Sequence, residues 1–168
     1  INSFANDDDI LVLLSGDDWL YSDDVLEYLN EVYQDDNIWL TYGSFISSSG
    51  AIGADFCKPL VNTRIYRRSR KWYTSHLITC RKKLWSKINP KDLLYQGHYP
   101  NHSFDNAFMY PMVEMAGLKH TKYIKKILCV YNDQNPLSAE NFKKDPGAFG
   151  RERKYWSRQP MYDELKRL

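Results

Sequence analysis

The sequence predicts an α/β fold in which a mixed β-sheet is flanked by helices. Apolar runs typical of strands alternate along the chain with stretches of helical periodicity, which is the pattern of this class. Hydrophobic residues make up 43% and aromatic residues 15% of 168 residues, enough to fill one core. We therefore expect a single domain over residues 1–168, in which residues 137–168 form a polar, partly helical tail.

The first third of the chain is predicted to hold two strands and a helix. The wholly aliphatic residues 10–14 are typical of a central strand that is buried on both faces. Ser22 is expected to open and cap a helix, because the acids after it favour the positive helix end. Apolar residues at helical spacing continue this helix to about Gln34. Aromatic and branched residues then predict a strand over residues 38–46.

The rest of the chain is predicted to contain the following elements in order: strand 75–80, short helix 82–88, loop 89–101, helix 105–116, strand 123–131 and a helical patch at 151–158. The helix at 105–116 is apolar almost all round, so we expect it to be buried. Gly117 is a typical helix end. Pro111 is expected to kink or limit the helix, because its ring opposes the carbonyl four residues back.

Composition bears on compartment and partners. The net charge of +2 is close to neutral, which argues against nucleic acid or a membrane surface as the partner. No apolar run approaches the roughly 18 residues of a membrane span, so we expect none. The cysteines are scattered and form no C-x-x-C pair, which indicates reduced, buried thiols and a cytoplasmic location. They are Cys57, Cys80 and Cys129.

The strand at residues 10–14 leads directly into polar residues that suit a ligand site. Ser15 and Gly16 follow it, and then the adjacent carboxylates Asp17 and Asp18. Ligands of open α/β sheets lie beyond the carboxyl ends of the strands. Carboxylates on a rigid strand end suit a hard divalent cation, which would in turn hold phosphate oxygens. The alternative is that these acids only belong to a turn.

Four segments, in order, resemble motifs of family 2 glycosyltransferases with the GT-A fold. ILVLLSGDDWL at 10–20, with WLTYGSF after the helix, resembles the strand that ends in the Asp-x-Asp motif. The other matches are WYTSHLIT at 72–79 (the strand after the donor loop), FDNAFMYPMVEMAG at 104–117 (the helix that starts with the catalytic acid) and ILCVYN at 127–132 (the closing strand). The resemblance covers residues 8–138. It implies a GT-A-like, Rossmann-like sheet that is truncated at the N-terminus. The chain would then be a fragment of the domain that contains the acceptor-side part and lacks the nucleotide-binding half.

The resemblance also implies a reaction and the residues that perform it. The family transfers a sugar from a nucleotide diphosphate sugar to a carbohydrate or other hydroxyl acceptor with inversion, and the resemblance implies a donor linked to UDP. Asp17 would bind Mn²⁺ or Mg²⁺, and Ser15, Asp17 and Asp18 would contact the nucleotide sugar. Ser15 stands where the motif has its first Asp and brings no charge. Asp105 would take the acceptor's proton, with Phe104 in place of the family's Glu.

Several alternatives stay open at this point. The chain could be a non-catalytic carbohydrate- or protein-binding remnant of the same fold, which the neutral Ser15 would suit. Asp105 could simply cap its helix. Trp19 and His76 are candidates for contacts with the acceptor or the sugar. The basic residues from 64 to 71 suit diphosphate, acceptor or nucleic-acid binding, although a solvated face is the commonest explanation of such a run.

Overall fold

The computed structural model describes residues 4–51, 53, 57–69, 72–137 and 143–168, which form a mixed α/β fold with two mixed sheets. The strands are β1 (Ile10–Leu13), β2 (Trp19–Leu20), β3 (Leu40–Gly43), β4 (Phe45–Ser47), β5 (Ser75–Arg81), β6 (Thr121–Tyr123) and β7 (Cys129–Tyr131). The helices are α1 (Val25–Val32), α2 (Thr63–Tyr66), α3 (Lys82–Trp85), α4 (Phe104–Ala116) and α5 (Ala148–Trp156), with a 3₁₀ turn at Pro90–Leu93.

The chain alternates between two sheets. The four-stranded sheet has the order β1-β5-β3-β6, in which β5 is antiparallel to both neighbours and β3 is parallel to β6. The three-stranded sheet has the order β2-β7-β4. The chain passes from the first sheet to the second at residues 14–18, at Ser44 and at residues 124–128. A Cβ on Gly43 would lie 3.0 Å from the Ile124 carbonyl oxygen, so the close approach of these segments favours glycine.

The core lies on both faces of the four-stranded sheet. On one face, Ile78 and Cys80 of β5 pack in a cluster with α4 and Trp156 of α5. On the other face, Leu77 of β5 packs in a cluster with α1. Neighbouring side chains of one strand therefore serve opposite cores, as expected from the two-residue period of a strand. The result is a three-layer arrangement of helix, sheet and helices.

The structure corrects three of the predicted strands. The strand at 10–14 is not central, because β1 lies at the edge of its sheet among the described residues and is only half-buried. The strand predicted at 38–46 is divided at Ser44 into β3 and β4. Of the strand predicted at 123–131, only Tyr123, which ends β6, and the residues of β7 are in strands. The parts of each divided segment pair in different sheets. Apolar patterning could not show this, since it indicates which residues avoid water and not which strands they pair with.

The predicted helices are present with different limits. The helix α1 begins at Val25, and the Ser22 hydroxyl donates a hydrogen bond to the Asp24 carboxylate instead of capping a helical amide. The helix α4 continues through Pro111, so the expectation that this proline limits it is wrong. The expected burial of α4 is confirmed, and it ends at Gly117 with a positive φ of 63°. The helix predicted at 82–88 is shorter, because α3 ends at Trp85.

The C-terminal segment is anchored to the core by a buried ion pair. Arg67 donates two hydrogen bonds of 2.6 Å to the carboxylate of Glu114 on α4, and both side chains are almost wholly buried. A further Arg67 nitrogen donates to the Trp156 carbonyl oxygen at 3.1 Å. The Tyr162 amide donates to Glu114 at 3.0 Å. The polar region after residue 137 thus contributes a helix and a buried tryptophan to the fold.

The ion pair also changes the interpretation of the basic run at 64–71. Arg64 and Arg68 are exposed, whereas Arg67 is 3% exposed and faces the core. Arg70 and Lys71 lie outside the described residues. The described part of the run is therefore not one continuous basic face.

Two further expectations concern the cysteines and the membrane. All of the cysteines, Cys57, Cys80 and Cys129, are buried and free of disulfide bonds, in agreement with the expectation from their spacing. Burial raises the pKa of the Cys80 thiol to about 12, which keeps it protonated and unreactive. Within the part of the chain that the structure describes, no helix combines the length and apolarity that crossing a membrane requires.

Candidate functional site

A cavity of about 540 Å³ lies between the carboxyl end of β1 and the N-terminus of α4. It is lined by Ser15 from the end of β1, His76 from β5 and Asp105 from the first turn of α4. These are three of the residues that the sequence predicted for the site, and they come from distant parts of the chain. The fold therefore brings the tip of the first strand and the expected base to one cavity.

Asp105 has the surroundings of a carboxylate adapted to accept a proton. It is half-buried at the second position of α4, and the loss of solvent raises its pKa above the usual range. The positive charge of His76 opposes this effect, and the negative charge of Asp18 adds to it. A raised pKa makes the carboxylate a stronger base. The helix cap is at Ser103, so Asp105 does not occupy the capping position that was its alternative role.

The two acids at the tip of β1 are held in different ways. Asp18 is buried, and its Oδ1 accepts a hydrogen bond of 2.9 Å from the Asn132 amide. Its Oδ2 is buried and has no hydrogen-bond partner among the described residues. Asp17 is half-buried, and its Oδ2 accepts a hydrogen bond of 2.6 Å from the Asn135 side-chain amide.

These carboxylates create a negative field over the neighbouring strand. Burial raises the pKa of Tyr131 on β7, and the charges of Asp18 and Asp17 raise it further. The Asp105 charge also contributes to the shift of Tyr131. The acids of the strand tip and of α4 therefore act on the same region, although Asp17 and Asp18 do not line the cavity itself.

The side chains at the strand tip supply part of the oxygen ligands that a divalent cation requires. The described residues contain no group of three His, Cys, Asp or Glu side chains suited to hold a metal ion. Mg²⁺, however, is commonly bound by one or two carboxylates together with substrate phosphates and water. Asp17 and the unpartnered Oδ2 of Asp18 fit that incomplete set, and the exposed Ser15 precedes Asp17 by two residues.

The two candidates for sugar or acceptor contacts occupy different places. His76 lines the cavity, and its ring stacks on Tyr131 with the centroids 5.7 Å apart, which fixes the imidazole between the two sheets. Phe45 meets the same imidazole edge-on at 5.7 Å. Trp19 on β2 is 47% exposed and does not line the cavity. The cavity thus includes one of the two candidates.

Two residues near the site were not found from the sequence. Asn135, which holds Asp17, lies in a polar segment that follows β7, and its only signal was its place after a strand end. Glu152 on α5 is 5% exposed and accepts hydrogen bonds from the amides of three consecutive residues, Asn101, His102 and Ser103. These residues form the loop immediately before α4. Nothing in the basic sequence around Glu152 marks it as buried.

No protein-family model matches the chain, and no curated protein matches it. The resemblance of residues 10–20, 72–79 and 104–117 to family 2 glycosyltransferases is therefore an expectation drawn from motifs. A functional assignment has to be argued from the geometry and electrostatics of the cavity and the strand tip.

Proposed function

We propose that the chain is the acceptor-side part of an inverting glycosyltransferase of the GT-A type. The donor would be a nucleotide diphosphate sugar, most simply one linked to UDP, and the reaction would depend on Mn²⁺ or Mg²⁺. The observation that supports this most is the convergence of Ser15, His76 and Asp105 on one cavity beside the acids Asp17 and Asp18. A base and a site for a cation are the two parts that sugar transfer from a diphosphate requires.

Asp105 is the proposed general base. The acceptor's hydroxyl oxygen bonds to the anomeric carbon of the sugar while the bond from that carbon to the diphosphate oxygen breaks. Asp105 takes the hydroxyl proton, which its raised pKa favours. Attack from the face opposite the leaving group inverts the anomeric centre. The imidazole of His76, which stacks on Tyr131 and lines the same cavity, would orient the acceptor.

Asp17 and Asp18 are the proposed cation ligands. When bound, the divalent ion would offset the negative charge that develops on the leaving diphosphate. Asn135 orients the Asp17 carboxylate, and the Asn132 amide orients that of Asp18. The unpartnered Oδ2 makes Asp18 a second ligand beside Asp17, where the sequence alone favoured Asp17.

The second candidate function is a non-catalytic carbohydrate- or protein-binding remnant of the same fold. One observation favours it: Asp17 is engaged by Asn135 at 2.6 Å, and the neighbouring Ser15 supplies no charge. A cation at this site would share the Asp17 carboxylate with Asn135 and gain no charge from Ser15, which would weaken its binding. The two candidates differ in whether nucleotide binding depends on the metal ion and whether transfer depends on Asp105.

Calorimetric titration with UDP, with and without MnCl₂, tests the cation site, because the ion at Asp17 and Asp18 would hold the diphosphate, the part of UDP that this half of the domain is proposed to contact. We expect Mn²⁺ to strengthen UDP binding at least tenfold in the wild-type chain and the Asp17→Ala variant to lose this gain. Asp23→Ala, which changes an exposed acid nearby, is the control and should bind as wild type. Equal binding by Asp17→Ala and Asp23→Ala would remove the metal role. The remnant would be favoured if UDP binding depended on the metal ion but the chain transferred no sugar, or if Asp105→Asn left the transfer unchanged.

A further inference from the structure

The cavity beside Asp105 is predominantly apolar. In the described part of the chain, its polar lining residues are Ser15, His76, Ser86 and Asp105, and Tyr99 adds a hydroxyl group. The remaining walls are aliphatic and aromatic side chains from β1, β5, α3, the 3₁₀ turn and α4. A volume of about 540 Å³ lies in the range of small-molecule sites, roughly 300–1,000 Å³.

An aromatic row runs along one wall of this cavity, from the interior to the surface. The ring centroids of Trp85 and Phe108 are 5.4 Å apart, those of Phe108 and Phe104 are 5.3 Å apart, and those of Phe104 and Tyr99 are 6.1 Å apart. Phe108 is buried, Phe104 is 36% exposed and Tyr99 is 65% exposed. Asp105 lines the same cavity as Phe104 and Phe108, so the carboxylate and the row border one space.

This lining decides which acceptor chemistry fits. A sugar placed along the aromatic row would bury hydroxyl groups opposite side chains that offer them few partners, and unpartnered buried hydroxyls are unfavourable. An apolar body in the same place would gain from the removal of its surface and that of the rings from water. The polar groups Asp105 and His76 suit a single hydroxyl at one end of such a molecule.

We infer that the acceptor is an alcohol or phenol whose hydroxyl group is carried on an apolar body, and that Phe104 and its aromatic neighbours bind this body. The inference rests on the proposed function, because it assigns the cavity to the acceptor. It deepens that function by giving the substrate class of the site.

The inference is tested with two probes, 2-naphthol and methyl β-D-glucoside. The first carries one hydroxyl on an aromatic body and the second is rich in hydroxyls. We expect 2-naphthol to bind the chain at least tenfold more tightly, as measured by calorimetry or by tryptophan fluorescence. Phe104→Ala should weaken this binding about fivefold or more. Phe149→Ala is the matched control, because Phe149 is 43% exposed near the start of α5, and it should bind as wild type.

Two outcomes would overturn the inference: equal or tighter binding of methyl β-D-glucoside, or binding of 2-naphthol that Phe104→Ala leaves unchanged. Either result together with Mn²⁺-dependent UDP binding would leave the proposed function standing. The opposite combination separates the two ideas as well. Binding of 2-naphthol through Phe104 by a chain whose UDP binding does not depend on Mn²⁺ would overturn the proposed cation site and support an apolar ligand for the cavity.

Discussion

Replacing Glu152 with alanine removes the carboxylate that holds the loop in front of α4. Glu152 accepts four hydrogen bonds of 2.8–3.3 Å, three from backbone amides and one from the Ser103 hydroxyl. Asn101 is exposed and His102 is half-buried, so their amides can bind water instead, whereas Ser103 is 2% exposed. One or two donors would therefore stay buried without a partner. At about 1–3 kcal/mol for each, we expect a loss of about 2–4 kcal/mol in the free energy of unfolding.

The measurement is urea unfolding at pH 7, followed by circular dichroism. Glu152→Gln keeps one carbonyl oxygen and the shape of the side chain, so its loss should be smaller, about 1 kcal/mol. Glu27→Ala removes an exposed glutamate from α1 and should change stability by less than about 0.5 kcal/mol. If Glu152→Ala were no more destabilising than Glu27→Ala, the argument that Glu152 anchors this loop would be wrong.

Three further predictions follow from buried groups and close approaches. Burial raises the pKa of Asp105, so wild-type stability is lost as pH rises through that pKa. The Asp105→Asn variant should therefore be more stable than wild type at pH 7.5, by an amount that shrinks towards pH 4. A difference in urea midpoint that does not change with pH would contradict this. Arg67→Met or Glu114→Leu alone should cost about 3–5 kcal/mol, and the double variant should cost less than the sum, so additive losses in a double-mutant cycle would count against the buried pair. Gly43→Ala should destabilise by about 1–3 kcal/mol, whereas Gly150→Ala, which meets open space within α5, should stabilise by about 0.5–1 kcal/mol, both read from thermal or urea unfolding.

Local sequence patterns predicted which segments form helices and strands better than they predicted which strands pair with one another. The apolar faces of α1 and α4 and the branched residues of β5 are signals that each segment carries by itself, and all three elements are present. The division of residues 38–46 at Ser44 depends on which strands lie alongside β3 and β4. The edge position of β1 likewise depends on the neighbouring strands. An aliphatic run indicates that a strand avoids water, but it does not indicate which strands pair with it.

The candidate site shows the same distinction. Ser15, Asp17 and Asp18 follow a strand and Asp105 begins a helix, and both positions are visible in the sequence. The charge of Asp18 acts on Asp105 only because the chain returns to the tip of β1 after nearly ninety residues. Asn135 and Glu152 act through hydrogen bonds to residues 118 and 49 positions away in the sequence, and sequence spacing gives no signal for such pairs.

The α/β class, the buried helix α4 and the acids at the strand tip could be predicted from the residues alone, because periodicity, propensity and end residues are local properties. Three features appear only in the folded chain: the shared cavity of Ser15, His76 and Asp105, the burial of Arg67 and the aromatic rings on the wall beside Asp105. Burial, pairing and electrostatic coupling depend on distances in space. Those distances are set by the packing of segments that lie far apart along the chain.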